Sequence, residues 1–180
     1  PKPDALLYAF AANAYNRASG LGSVALGFSN LAGPQPGVNG SGGPGDWNNV
    51  GQFVAGWGSR AIGNLSTATG FRNTASGTAT VALGNYNYAT GDSSIALGKE
   101  NWAEGGSTVA IGFKNHAGGA GSVSLGQENI AYATTGFTSG YQNVTGNASD
   151  GSGGSATAMG KYNVASADAS MALNRACLLY

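Results

Sequence analysis

The chain has 180 residues, 32 of them glycine, and its 8 basic and 8 acidic side chains give a formal net charge of zero. Such sparse, balanced charge argues against a nucleic-acid surface or a polybasic membrane patch, because both need clustered Lys and Arg. The chain has no apolar run long enough to span a bilayer, so we expect no direct membrane insertion of this segment.

A lead-in of residues 1–8 precedes a fourteen-residue repeat, which is most regular where Asn87, Asn101 and Asn115 follow one another. Self-similarity at a fixed period predicts a repeat architecture. The position that these asparagines share, called here the asparagine column, can be followed through the chain. It is occupied by Asn16, Asn30, Ser59, Asn73, Asn87, Asn101, Asn115, Asn129, Asn143, Asn163 and Cys177.

Two steps of the repeat are longer than the others, and each contains a stretch rich in Gly, Asn and Ser. This composition predicts surface loops, inserted at about 33–51 and 147–154. The remainder of 9–180 is predicted to be one repeat domain. The apolar end Leu178-Leu179-Tyr180 leads us to expect that the natural chain continues.

A turn column lies three residues before the asparagine column and contains only glycine or asparagine. Both residue types adopt positive φ at low cost, so each coil is predicted to turn here. The column consists of Asn13, Gly27, Gly56, Gly70, Gly84, Gly98, Gly112, Gly126, Gly140, Gly160 and Asn174.

Large-small-large triplets such as Val81-Ala82-Leu83 come directly before this turn. Residues two apart in a strand share a face, so Val81 and Leu83 are expected to fill the interior while Ala82 points outward. Ala82 and its equivalents would then form a small-residue face that another chain can approach closely. A second short strand, with Ala89 two residues after Asn87, is expected to bury its alanine.

These patterns predict an all-β fold, a parallel β-solenoid of about 11 coils with two flattened sheets and one strand of each per coil. The asparagine column would form a ladder of side-chain amides between coils. Helix is a poor alternative because no period of 3.6 residues is present and glycine recurs throughout.

Catalytic chemistry has few candidates. Glu100 and Glu128 occupy equivalent positions two coils apart, a separation near that of an inverting glycosidase pair. Lys114 stands between them, so the alternative is an exposed ladder of alternating charges. His116 is the only histidine and Cys177 the only cysteine, which gives no metal-ligand cluster and no disulfide. We therefore expect a non-enzymatic protein with no catalytic residue, metal or cofactor.

Aromatic and apolar residues fill two columns that are predicted to face away from the interior. Stripes of this kind on a soluble chain mark an interface, either between chains or with a ligand. A tryptophan in the first insertion is a separate candidate contact. The candidate ligand or trimer contacts are Trp47, Trp57, Phe71, Tyr88, Trp102, Phe113, His116, Ile130 and Tyr141.

The unit that runs from Ser23 to Gly27, with Asn30 and Ala32, strongly resembles the head repeat of trimeric autotransporter adhesins, the YadA-like head. Copies stand at 80–91, 94–105 and 108–119, and the resemblance covers roughly residues 9–177. It implies a left-handed parallel β-roll, three chains packed side by side as a homotrimer, and display on the bacterial outer membrane.

The resemblance implies an adhesin head that binds a host matrix protein, a cell-surface receptor or a glycan through multivalent display. No coiled-coil stalk or barrel pattern, which usually follows such heads, occurs in this sequence. The same repeat also occurs in trimeric phage tail fibres. The alternative is therefore a fibre segment that contacts a bacterial surface glycan or serves as a rigid spacer.

Overall fold

The computed structural model describes residues 9–33, 50–147, 154–176 and 178–179, which form a parallel β-solenoid and contain no helix able to span a membrane. Each coil contributes one strand to each of two eleven-stranded sheets. The long sheet contains β1 Phe10–Ala12, β3 Val24–Phe28, β5 Phe53–Trp57, β7 Thr67–Phe71, β9 Val81–Asn85, β11 Ile95–Lys99, β13 Val109–Phe113, β15 Val123–Gln127, β17 Phe137–Tyr141, β19 Thr157–Lys161 and β21 Met171–Arg175. The short sheet contains β2 Arg17–Ala18, β4 Leu31–Ala32, β6 Arg60–Ala61, β8 Thr74–Ala75, β10 Tyr88–Ala89, β12 Trp102–Ala103, β14 His116–Ala117, β16 Ile130–Ala131, β18 Val144–Thr145, β20 Val164–Ala165 and β22 Leu178–Leu179. The all-β parallel solenoid predicted from the repeat is confirmed.

Equivalent residues of successive coils lie side by side, because all strands are parallel and in register. The register continues across both longer steps of the repeat, where β3 pairs with β5 and β17 with β19. Gly27, for example, lies opposite Gly56. Of the two predicted insertions, residues 34–49 and 148–153 lie outside the described part of the chain.

Alanine fills the interior from both sheets, which corrects the predicted direction of the triplets. Ala82 and Ala96 in the long strands are fully buried, and so is Ala89 in the short strand opposite. Val81 and Leu83 are only half-buried, because they lie on the outer side of the long sheet. The expectation that the large pair fills the interior was wrong, since the two walls of this short coil leave space for small side chains alone.

Because the large residues of the triplets point outward, the apolar surface of the chain lies on the outer side of the long sheet. Within the described coils no small-residue face is available for close approach, because the small residues point inward. The long-sheet face instead presents large side chains, and Ile111, Met159 and Leu173 are 37%, 42% and 42% exposed. This face is formed by Val24, Leu26, Phe53, Val81, Leu83, Ile95, Leu97, Val109, Ile111, Val123, Leu125, Phe137, Met159, Met171 and Leu173.

The turn column combines an unusual backbone conformation with close contact between coils. Its nine glycines have φ between 107° and 124°, well outside the left-handed range of about 50–70° that other residues can adopt. A Cβ on Gly84 would lie 2.1 Å from the carbonyl oxygen of Gly98 in the next coil. Asn13 and Asn174, at the two ends of the column, have φ of 72° and 81°.

Two further columns of each coil have positive φ but do not require glycine. Tyr86 and Glu100, directly before the asparagine column, have φ of 53° and 57°, and Ala79 and Ser93, six residues after it, have φ of 55° and 57°. These columns have no recognisable residue pattern in the sequence and were not predicted from it. At Gly22, in the second of them, an added Cβ would meet nothing within 4 Å, so ordinary side chains fit there.

The predicted asparagine ladder is confirmed, and it is almost completely buried. The Nδ2 group of Asn101 donates to Oδ1 of Asn87 at 3.0 Å and to the carbonyl oxygens of Leu97 and Gly112, each at 2.8 Å. The Oδ1 atom of Asn101 accepts from both the backbone and the side-chain nitrogen of Asn115. Each amide therefore connects three coils and donates to backbone carbonyls of its own coil and of the next one.

We expect Gly84→Ala to destabilise the fold by at least about 3 kcal/mol, since it combines a forbidden φ with a backbone clash. The matched control is Ala79→Gly at φ 55°. It should change stability by no more than about 1 kcal/mol because strain relief and added chain entropy oppose each other. Urea unfolding measures both. Equal effects of the two substitutions would contradict the role assigned to close coil contact.

We expect Asn101→Asp to destabilise by about 3–5 kcal/mol at neutral pH, because it places a carboxylate against the buried oxygens of Asn87, Leu97 and Gly112. Asn101→Ser is the control, since serine occupies this column naturally at Ser59, where its backbone nitrogen donates to Asn30 Oδ1 at 2.9 Å. It should cost less than the Asp variant. Thermal unfolding, monitored by circular dichroism, shows which of the two variants is less stable.

Candidate ligand-binding surfaces

One edge of the solenoid carries a row of aromatic rings, called here the aromatic edge. Its members come from the end of the long strands and from the turn residue that follows: Tyr15, Phe28, Trp57, Phe71, Tyr86, Phe113, Tyr141 and Tyr162. From Tyr15 to Tyr86 the rings contact one another edge to face, with successive centroids 5.1–5.9 Å apart. This is the preferred geometry of aromatic pairs, so the row also stabilises the stacking of coils.

Cations lie over several rings of the aromatic edge. The guanidinium carbon of Arg72 lies 5.4 Å from the ring centre of Phe71, and its Nη1 donates to the Tyr86 hydroxyl at 2.9 Å. The Nζ atoms of Lys99 and Lys114 lie 5.4 and 5.1 Å from the centre of Phe113. Both distances are within the range of cation–π attraction.

Tyr141 forms the last pair of the aromatic edge with Tyr162, at a centroid distance of 5.4 Å. Partial desolvation, then the Glu128 carboxylate and the neighbouring Tyr162, raises the pKa of the Tyr141 hydroxyl above its usual value. The group is therefore neutral at physiological pH, and its hydrogen bond with Tyr162 helps to hold this last pair of the edge together.

A second row of rings, the outer ladder, runs over the short sheet and consists of Tyr88, Trp102, His116 and Tyr132. The centroid distances along it are 5.1, 6.3 and 5.5 Å. His116 Nε2 also lies 2.9 Å from Glu104 Oε2, which holds the imidazole against its neighbours. Trp102 is 46% exposed and is the most accessible large surface of the row.

An open groove of about 480 Å³ lies between the aromatic edge and the outer ladder. This central groove is lined by Tyr86, Tyr88, Glu100, Trp102 and Lys114. Its position follows from the repeat: the asparagine column points inward, so the residues before and after each asparagine point outward on either side of it.

The structure brings most of the candidate contacts into these surfaces. Trp57 and Phe71 pack together on the edge, whereas Tyr88, Trp102 and His116 form the outer ladder. Ile130 is half-buried beside His116 in the short sheet. Trp47 lies outside the described residues.

The two glutamates considered for catalysis have different neighbours. Glu100 lies 3.4 Å from Lys99 and 3.8 Å from Lys114, so half of the predicted charge ladder is present. Glu128 accepts instead from the side-chain amide of Gln142. Among the residues that the structure describes, no three His, Cys, Asp or Glu side chains gather as a metal site.

Comparison with family models matches the YadA head domain repeat at residues 61–87, 75–101, 89–115, 103–129 and 152–173. Together these windows cover just over half of the chain. The chain belongs to the YadA head family. A comparison with curated proteins gave no match.

YadA heads are homotrimeric, adhesive domains exposed on bacterial outer-membrane autotransporters. Their repeat and β-solenoid fold are typical of adhesin structural domains without enzymatic activity. The first four matches in this YadA head overlap and begin one repeat apart, from residue 61 to residue 103. The family match thus includes the coils that carry the central groove.

Several candidate contacts of this YadA head were not predicted from the sequence, namely Tyr15, Arg72, Tyr86, Tyr132 and Tyr162. They lie one residue before or three residues after the asparagine column, in positions that vary strongly from coil to coil. The inward direction of the asparagines was the available signal, because it requires the adjoining residues to face outward.

We expect Trp57→Ala to destabilise this YadA head by about 1–2 kcal/mol, because Trp57 contacts Phe28 and Phe71 in the two adjacent coils. Trp57→Phe retains a ring at the same place and should restore most of the loss. Chemical unfolding of both variants tests this. If Trp57→Phe were as unstable as Trp57→Ala, ring–ring contact would not be the cause of the lost stability.

Proposed function

We propose that this YadA-type head is a non-enzymatic homotrimeric adhesin module that binds host matrix or cell-surface ligands. Three left-handed solenoids would stand side by side on the bacterial surface. The observation that carries the proposal is the long-sheet face, a largely apolar and partly exposed surface on a chain whose interior contains mostly small residues: alanine, asparagine, serine and threonine. Extended apolar patches on a protein surface mark association sites.

Association through the long-sheet face would supply hydrophobic stabilisation that the interior of a single chain lacks. Alanine methyl groups bury little apolar area each, so a single chain gains limited hydrophobic stabilisation. Packing Leu97 or Ile111 against another chain would remove much larger side chains from water. Folding and trimerisation are therefore expected to be coupled, with stability that depends on protein concentration.

The long-sheet face and the outer ladder lie on opposite sides of the flattened solenoid. If the long-sheet face is buried in a trimer, Tyr88, Trp102 and the rest of the outer ladder stay accessible on each chain. Three copies on one rigid body can contact a surface together, so individually weak contacts add through effective concentration.

Binding is tested by applying the trimer to immobilised collagen, fibronectin and laminin, and to cultured host cells. Surfaces coated at decreasing ligand density are the valency control. We expect retention of the trimer on at least one surface, and loss of that retention once the coating is too sparse for several chains of one trimer to bind together. A trimer that binds none of them would contradict the proposed adhesive function.

We expect Leu97→Glu to prevent trimer formation, because it places a charge in the centre of the long-sheet face. Thr74→Glu, on the short sheet, is the matched control and should leave the trimer intact. Sedimentation equilibrium at micromolar concentration measures the mass of each variant. Wild-type protein that stays a folded monomer, or a Leu97→Glu trimer, would overturn the assignment of this face.

A further inference from the structure

The central groove is a second kind of surface, with aromatic rings on one side and a pair of opposite charges on the other. We propose that it binds a neutral oligosaccharide, with sugar rings on Tyr88 and Trp102 and sugar hydroxyls hydrogen-bonded by Glu100 and Lys114. The inference deepens the proposed adhesive function and rests on it, since it names the ligand class of one surface.

The rings supply the apolar half of the site. Tyr88 and Trp102 lie in adjacent coils, with centroids 5.1 Å apart and planes inclined by 51°, so they offer two neighbouring faces. The C–H faces of pyranose rings pack on aromatic faces, whereas their hydroxyl groups need polar partners. The open shape of the groove along the solenoid axis admits a chain of sugars.

The polar half of the site is formed by one acid and one base of the lining. Glu100 Oε2 and Lys114 Nζ lie 3.8 Å apart, a distance at which adjacent sugar hydroxyls can donate to the carboxylate and accept from the ammonium group. Tyr86 adds a phenol hydroxyl that already accepts from Arg72. The two charged residues of the lining, one acid and one base, can both hydrogen-bond sugar hydroxyls, which suits an uncharged polyol. Lys99 lies just beyond the lining, 3.4 Å from Glu100, and helps to balance its carboxylate.

The groove is built by substitutions in the repeat and not by the repeat itself. Beyond His116, aliphatic Ile130 and Val144 take the positions equivalent to Tyr88 and Trp102. In the coil before Tyr88 the equivalent residue is Thr74, which pairs with Tyr88 in the short sheet. The scaffold needs none of these rings, because its core and its ladders are formed by alanine, glycine and asparagine.

The test applies the wild-type protein to an array of neutral oligosaccharides of galactose, glucose and N-acetylglucosamine, with sialylated and sulfated counterparts. We expect binding to neutral members, followed by titration calorimetry with the best of them. Trp102→Ala should weaken the affinity at least tenfold, and Glu100→Gln and Lys114→Gln several-fold. All three side chains are at least partly exposed, so the fold should persist, as circular dichroism would verify.

Ile130→Ala is the matched control, because it lies in the same column two coils beyond Trp102 and outside the groove. It should leave glycan affinity unchanged. Binding restricted to acidic glycans, or an unchanged affinity of Trp102→Ala, would overturn the proposal. Adhesion to cells or matrix without any glycan binding would overturn this inference alone, whereas loss of all adhesion would remove the proposed function with it.

Discussion

The close contact between glycines of successive coils is the constraint on which the rest of this solenoid depends. The carbonyl oxygen of Gly98 lies where a side chain on Gly84 would be, and Asn87 Nδ2 donates to the same oxygen at 2.8 Å. Only glycine permits this approach at φ near 115°, and the asparagine amide, with both donor and acceptor atoms, then bridges three coils on the inside. Glycine and asparagine are thus two parts of one connection.

This connection determines what can vary. The interior accepts alanine and small polar residues from both sheets, so large side chains are placed on the outer surfaces. The long-sheet face becomes largely apolar, with Thr67, Thr69, Ser139 and Thr157 as polar members, whereas the aromatic edge and the outer ladder change from coil to coil. A largely apolar face is suited to association with identical chains, and a varied surface is suited to recognition of a particular ligand. The scaffold and the proposed binding surfaces are therefore separated within each single coil.

Much of the architecture could be predicted because its causes are local and repeat. The turn column predicted one of the three positions of each coil where φ is positive, and the period of the asparagines predicted the amide ladder. The grouping of the candidate contacts into surfaces was harder to predict, because it depends on which rings of adjacent coils contact each other. Tyr86 escaped notice although it joins Phe71 on the edge and Tyr88 across the groove. Its position varies too much from coil to coil to form a visible pattern.

The sequence by itself determined the period, the parallel all-β solenoid and the family, because periodicity dictates which residues lie side by side. Tertiary structure decided which side of each strand faces inward. Alternation along Val81-Ala82-Leu83 is satisfied by either direction, and only the short distance between the two sheets selects alanine. The same holds for Gly91, whose φ is not positive, but where a Cβ would lie 2.0 Å from the Gly105 oxygen. The inward direction of alanine depends on the distance between the two sheets, and the glycine at Gly91 depends on the distance between coils. Both distances arise only after folding.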